Sequence, residues 1–183
     1  MEPDKPTPVA LAVDLDGTLI RGDLFHISLG LLLKRNPLYL CLFPLWLVRG
    51  KAAFKREVAL RVDVDPEALD YRSEILEHTR EARAQGRPTC LATGSDSLLA
   101  RKLFEHLGCF DELIASDGRL NNTGHSKSEA LVSRFGHRGF DYIGNSPVDM
   151  PIWESAAGVM LAGSRQGLLN QLQDQFEVQR VFP

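Results

Sequence analysis

Two aspartates, Asp14 and Asp16, follow the apolar run Val9-Ala-Leu-Ala-Val13 and precede Gly17-Thr18. Such a run predicts a strand buried on both faces, and carboxylates at its end are costly unless a cation, hydrogen bonds or a substrate compensates them. Further polar groups fall at or beyond the ends of later apolar runs: Thr93-Gly94-Ser95, Lys127, and Asn145 with Asp149. This inventory suits phosphoryl transfer. One carboxylate can serve as nucleophile and a second, two residues on, as acid and base. A hydroxyl and free backbone N–H groups can hold phosphoryl oxygens, and a lysine can neutralise developing charge. Carboxylate, carbonyl and amide oxygens suit Mg²⁺, a hard cation that keeps several waters.

Groups so far apart in the chain meet only if the elements before them converge. After residue 85 the pattern alternates regularly. Strands are expected at 88–93, 112–116, 140–144, 158–162 and 178–182, and helices at 97–107, 127–135 (with Ser126 as cap), 151–157 and 166–174. Residues 117–124 read as a polar, turn-rich loop or small hairpin. Strands alternating with helices predict an α/β fold with a mainly parallel sheet, whose strand ends share one edge.

The stretch 24–84 interrupts that alternation after the first strand and is helical in character, so it is expected to be a small cap inserted into a core of 9–23 and 85–183, its last helix returning the chain to the core. Within it, Leu38–Val48 is wholly apolar and flanked by Arg49 and Lys51. At eleven residues it is too short to span a membrane. One reading packs it on the core; the other makes it an interfacial surface, with Trp46 and Tyr39 at headgroup level.

A formal net charge of -3 gives no basic footprint, so nucleic acid is not expected as a partner. The 44% hydrophobic and 25% charged composition indicates a folded domain. Three widely spaced cysteines offer neither zinc spacing nor a disulfide framework, so reduced thiols in a cytoplasmic compartment are expected. Residues 1–8, polar and proline-rich, read as a disordered tail and not as a signal peptide.

Asp-Leu-Asp-Gly-Thr-Leu at 14–19 resembles the first signature of the haloacid dehalogenase superfamily. Leu-Ala-Thr at 91–93, Lys127 and Gly144-Asn-Ser-Pro-Val-Asp149 resemble its other three signatures, in the right order. The resemblance implies a Rossmann-like three-layer core and a Mg²⁺-dependent phosphomonoesterase. Asp14 would attack phosphorus to form an aspartyl-phosphate, and Asp16 would protonate the leaving oxygen and then activate water. Thr93, Gly94, Ser95 and Lys127 would hold the phosphoryl group, and Asp14, Asp16, Asn145 and Asp149 the metal. Where the family usually has an aspartate after the motif's glycine, this chain has Asn145, so weaker Mg²⁺ binding is expected.

Three segments (14–24, 44–53 and 139–146) are also similar to the haloacid dehalogenase domain fused to some bacterial membrane prenyltransferases. The substrate stays open between a small phosphorylated metabolite and a polyprenyl phosphate, and the likeness favours the interfacial reading of 38–48. It also leaves open a weakly active or inactive module that docks on a membrane or a membrane prenyltransferase through its apolar cap. His26, Arg21 and His125 are weaker candidates, expected at the surface or the cap entrance.

Overall fold

The first strand, β1 (Ala10–Val13), is buried along its whole length at the centre of the sheet. The computed structural model describes residues 8–183; apart from Pro8, the expected tail lies outside the described residues. The strand pairs in parallel with β2 (Thr89–Asp96) on one side and β4 (Phe140–Gly144) on the other. Outside these lie β3 (Glu112–Ser116), then β5 (Gly158–Ala162) and β6 (Val178–Phe182). All neighbours are parallel, in the order β3-β2-β1-β4-β5-β6.

Between β1 and β2 run α1 (Leu24–Arg35), α2 (Phe43–Val48), α3 (Lys51–Ala59) and α4 (Ser73–Ala84). The later strands are joined by α5 (Ser97–Leu107), α6 (His125–Phe135), α7 (Met150–Ser155) and α8 (Gln166–Gln173). Alternation along the strands splits the core between the two faces of the sheet. Leu11, Val13, Leu91 and Ile143 pack with Ile75 and Leu76 of α4 and with Leu99 and Leu103 of α5. Ala10, Ala12, Phe140 and Tyr142 pack with Leu131 of α6, Trp153 of α7 and Leu168 of α8. Three layers result, and each large aliphatic or phenylalanine side chain so buried contributes ~1.5–3 kcal/mol.

The insertion divides in its packing. α1 to α3 gather a small cluster of their own around Leu32, Trp46 and Val58. By contrast α4, which the boundary at residue 84 would place in the cap, gives Ile75, Leu76 and Ala82 to the main core. Its apolar face joins that core with residues of the sheet and of α5, as expected of the helix that returns the chain to the core, so the packing boundary of the cap falls before α4. At the neck the two ends meet, Ile20 bridging to Tyr71 and the Arg72 N–H donating to the Leu19 carbonyl at 2.9 Å.

Some expected boundaries shift. The helix expected from Lys127 begins at His125, capped by Gly124 and not by Ser126, which brings Lys127 inside the first turn. Residues 117–124 form no hairpin; the Asp117 carboxylate closes a turn by accepting from the Arg119 and Leu120 N–H groups. Residues 38–48 become a 3₁₀ turn over Pro37–Leu42 followed by α2, each opened by a proline, where the missing N–H costs nothing.

Candidate active site

β1 delivers Asp14 to the carboxyl edge of the sheet, where its N–H still donates to Ile143 of β4 at 3.0 Å. One carboxylate oxygen, Oδ1, accepts from Lys127 Nζ at 2.6 Å, and Oδ2 accepts from the Thr18 hydroxyl at 2.9 Å. Both charges are buried, with Asp14 5% and Lys127 3% exposed. Burial opposes the lysine's charge, but Asp14 and Asp149 more than offset it and raise its pKa. A lysine so held is a fixed cation beside a nucleophile, not a surface residue at a helix start.

The buried phenol of Tyr142, on β4, links this pair to the next motif. Lys127 donates to its oxygen at 3.2 Å, and the phenol donates to Asp149 Oδ1 at 3.0 Å. Burial, with Asp149 and Asp14 near it, pushes the phenol well above its ordinary pKa, so it remains a neutral relay. Nothing in the sequence singles out Tyr142, because the apolar pattern of β4 hides a polar tip within a strand of core residues.

Asp16 sits at the start of the insertion. Its Oδ1 accepts from the Leu24 N–H at 2.6 Å, and its Oδ2 from Ser95 at 2.8 Å and Thr93 at 3.2 Å. Burial and the neighbouring Asp14 carboxylate push its pKa up to about 6. Near neutrality it can therefore hold or release a proton, as a general acid and base must. Thr93 and Ser95, expected to hold phosphate, here both donate to Asp16, and Ser95 also lines the cavity. Both hydroxyls are buried, need a partner and find it in Asp16, so they orient this carboxylate. Gly94 between them does line the pocket; a β-carbon there would collide with Thr123 of the opposing loop.

Asp149, expected among the metal donors, is otherwise engaged. Its Oδ2 accepts from the Asn145 and Ser146 N–H groups at 3.2 and 3.1 Å, while Oδ1 takes the Tyr142 phenol. It thus closes a capping box on the turn 147–149, which fixes the whole 144–149 segment. Asn145 lies against Gly17, whose φ of +73° and lack of a β-carbon admit the amide. Among the described residues, no group of three His, Cys, Asp or Glu could hold a metal. Beside Asp149, the cavity is lined by the oxygen-bearing residues Asp14, Asp16 and Asn145. They are hard donors that fit a magnesium-type cation, with Asp14 supplying the charge.

These groups line a cavity of about 190 Å³. The insertion adds Asp23, Phe25 and Lys55 to its wall. Lys55, on α3, donates to the Gly94 carbonyl at 2.7 Å and to Asn121 at 2.9 Å. Beside it Arg56 pairs with buried Asp96 at 3.0 Å. No motif in the sequence marks either residue; their role follows from how α3 sits over the end of β2. His26 and Arg21 are exposed and pair with Asp23 and Asp70. His125, at the first position of α6, is exposed.

A parallel sheet with paired acids at its carboxyl edge and a lysine buried against the first acid places this chain among α/β proteins with a carboxylate-and-lysine site under a helical cover. The chain belongs to the haloacid dehalogenase-like hydrolase family, whose profile matches residues 11–154. It is 40% identical over 154 residues to y4nM, an uncharacterized protein of Sinorhizobium fredii. The match covers 84% of this chain but 30% of that protein, so the chain spans about a third of its relative's length. Among solved structures it resembles a phosphoserine phosphatase in apo form, at a TM-score of 0.63 and 13% identity, over 96% of this chain and 93% of that one. It also resembles the cobalt-bound deoxy-D-mannose-octulosonate 8-phosphate phosphatase of Haemophilus influenzae, at 0.56 and 14%, over 96% and 77%. At these identities the structural likeness establishes the fold.

Proposed function

We propose that the protein is a phosphomonoesterase that works through an aspartyl-phosphate on Asp14. The observation that carries this reading is the buried contact between Asp14 and Lys127, with Asp16 held two residues away on the same cavity. An Asp14 oxygen attacks phosphorus as the bond to the leaving oxygen breaks, and Asp16 gives that oxygen its proton. Water then attacks the phosphoryl group, Asp16 takes the proton back, and the bond to Asp14 breaks. Lys127, steadied by Tyr142, balances the charge that builds on the phosphoryl oxygens.

Mg²⁺ held by Asp14, the Asp16 carbonyl and Asn145 would supply Lewis-acid screening between the Asp14 carboxylate and an incoming phosphoryl group. The structural neighbours described above, two phosphatases and one of them cobalt-bound, support the assignment. The reading of an inactive docking module is disfavoured by a site in which Asp14, Asp16 and Lys127 all line one cavity, with Lys127 bonded to Asp14. A cavity of about 190 Å³ suits a phosphoryl group with a few neighbouring atoms. The rest of the substrate, whether a small metabolite or a polyprenyl chain, would extend outside it.

Hydrolysis of an aryl phosphate in Mg²⁺ tests the proposal. The wild type should turn over and Asp14→Asn should fall to background. Equal rates in the two proteins would overturn it.

A further inference from the structure

All eleven residues of Leu38–Val48 are apolar, yet only Trp46 is buried. Tyr39, Phe43 and Trp46, spaced four and three apart, form one helical face turned inward onto Phe54 and Val58. This corrects both expectations for the segment: the aromatic residues are the packed side, and the leucines are the free one. Val48 is 87% exposed, Leu38 71% and Leu45 62%, with Leu40, Leu42 and Leu47 exposed beside them. A helix apolar all round is ordinarily buried, and so large an exposed apolar patch ordinarily meets a partner.

The charge around the patch says which partner. From Leu24 to Arg56 the chain carries six basic residues and no acidic one, a charge of +6 against −9 for the remainder. Lys34 and Arg35 are exposed at one end of the apolar segment, and Arg49 and Lys51 at the other. The nearest acid, Glu57, is shared between Arg49 and Arg61, which leaves the region cationic. A second copy of the chain would set these cations against one another across a two-fold interface. Apolar side chains edged by cations match a surface of apolar acyl chains under anionic headgroups.

We propose that this face of the insertion docks on an anionic lipid bilayer, its leucines and Val48 entering the acyl boundary and the four flanking cations lying at the phosphate level. No helix among the described residues is long and apolar enough to cross a membrane, so the contact is peripheral. The docked face also adjoins the site: Phe43 packs on Phe54 and Phe54 on Phe25, which lines the catalytic cavity.

Sedimentation with lipid vesicles tests the proposal without reference to hydrolysis. The wild type should bind vesicles of mixed phosphatidylglycerol and phosphatidylcholine, and high salt should weaken the binding. Leu45→Glu combined with Leu47→Glu should weaken it roughly tenfold or more, as expected when leucines are denied an apolar environment. Lys34→Glu combined with Lys51→Glu, which leaves the apolar side chains in place, should weaken it too. All four residues are exposed, so both variants should keep the wild-type unfolding temperature. Failure to bind, equal binding to pure phosphatidylcholine, or binding unchanged in both variants would overturn the proposal. So would a wild-type dimer that the leucine variant converts to monomer, which would assign the face to self-association.

Discussion

Asp16 shows how one residue can be tuned by its surroundings and what that costs the fold. Its pKa stands near 6 against an ordinary 3.8, first because it is buried and then because Asp14 lies beside it. The folded protein therefore holds this proton more tightly than the unfolded chain does. Stability from this group is full below about pH 4 and is lost as pH rises through about 6. Relative to Asp16→Asn, the metal-free wild type should lose up to ~3 kcal/mol across that window, two units at about 1.4 each. Thermal unfolding in chelator at several pH values checks this; a constant difference between the two proteins would refute it. At this scale the sequence was readable where motif and chemistry coincide, at Asp14, Asp16 and Lys127. It did not disclose the bonds of Ser95 and Thr93 to Asp16 or of Tyr142 to Asp149, because residue type alone does not say which neighbour a buried hydroxyl or carboxylate will take.

Elements explain why the acids stand where they do. The turn after β1 is held from outside by Arg72, which comes from the neck just before α4. Its Nη1 donates to the Gly17 and Thr18 carbonyls at 2.7 and 2.8 Å, and its Nε to the Pro183 carbonyl at 2.8 Å. Arg72→Met should therefore lower the unfolding free energy by about 3 kcal/mol or more, since several buried acceptors lose a charged donor. Turnover should fall as well, because the turn that directly follows Asp16 would loosen. Urea denaturation and an aryl phosphate assay on the same protein measure both effects, and full activity in the destabilised variant would show that the neck does not position the site. Strands and their helices were legible from period and punctuation, since burial on two faces leaves unbroken apolar runs. The neck was not, because its bonds run between residues more than fifty positions apart. The segment 38–48 was ambiguous for a different reason: when both faces of a helix are apolar, period no longer says which one is inside.

At the scale of the whole molecule, the fold separates two tasks. The sheet brings Asp14, Asp16 and Lys127 to one edge, the two acids after β1 and the lysine on the helix that follows β3, and the insertion supplies the cavity's outer wall. The charge is divided too, with the basic surplus confined to residues 24–56 of the insertion. The order of the four motifs was enough to place the sheet and its edge. The wall residues Lys55 and Phe25 emerged only once α1 and α3 were seated over β2 and β1.

The central claim is that Asp14 carries the phosphoryl group. Asp16→Asn removes the acid and base while leaving the nucleophile. An aryl phosphate has a leaving group that departs without protonation, so the first step should survive and the second should stall. Mass analysis of the peptide holding Asp14, after brief exposure of Asp16→Asn to an aryl phosphate and Mg²⁺, should find one added phosphoryl group, absent when Asp14→Asn is also present. Wild-type turnover with no phosphoryl group ever trapped on that peptide, or with the group on another residue, would contradict the account.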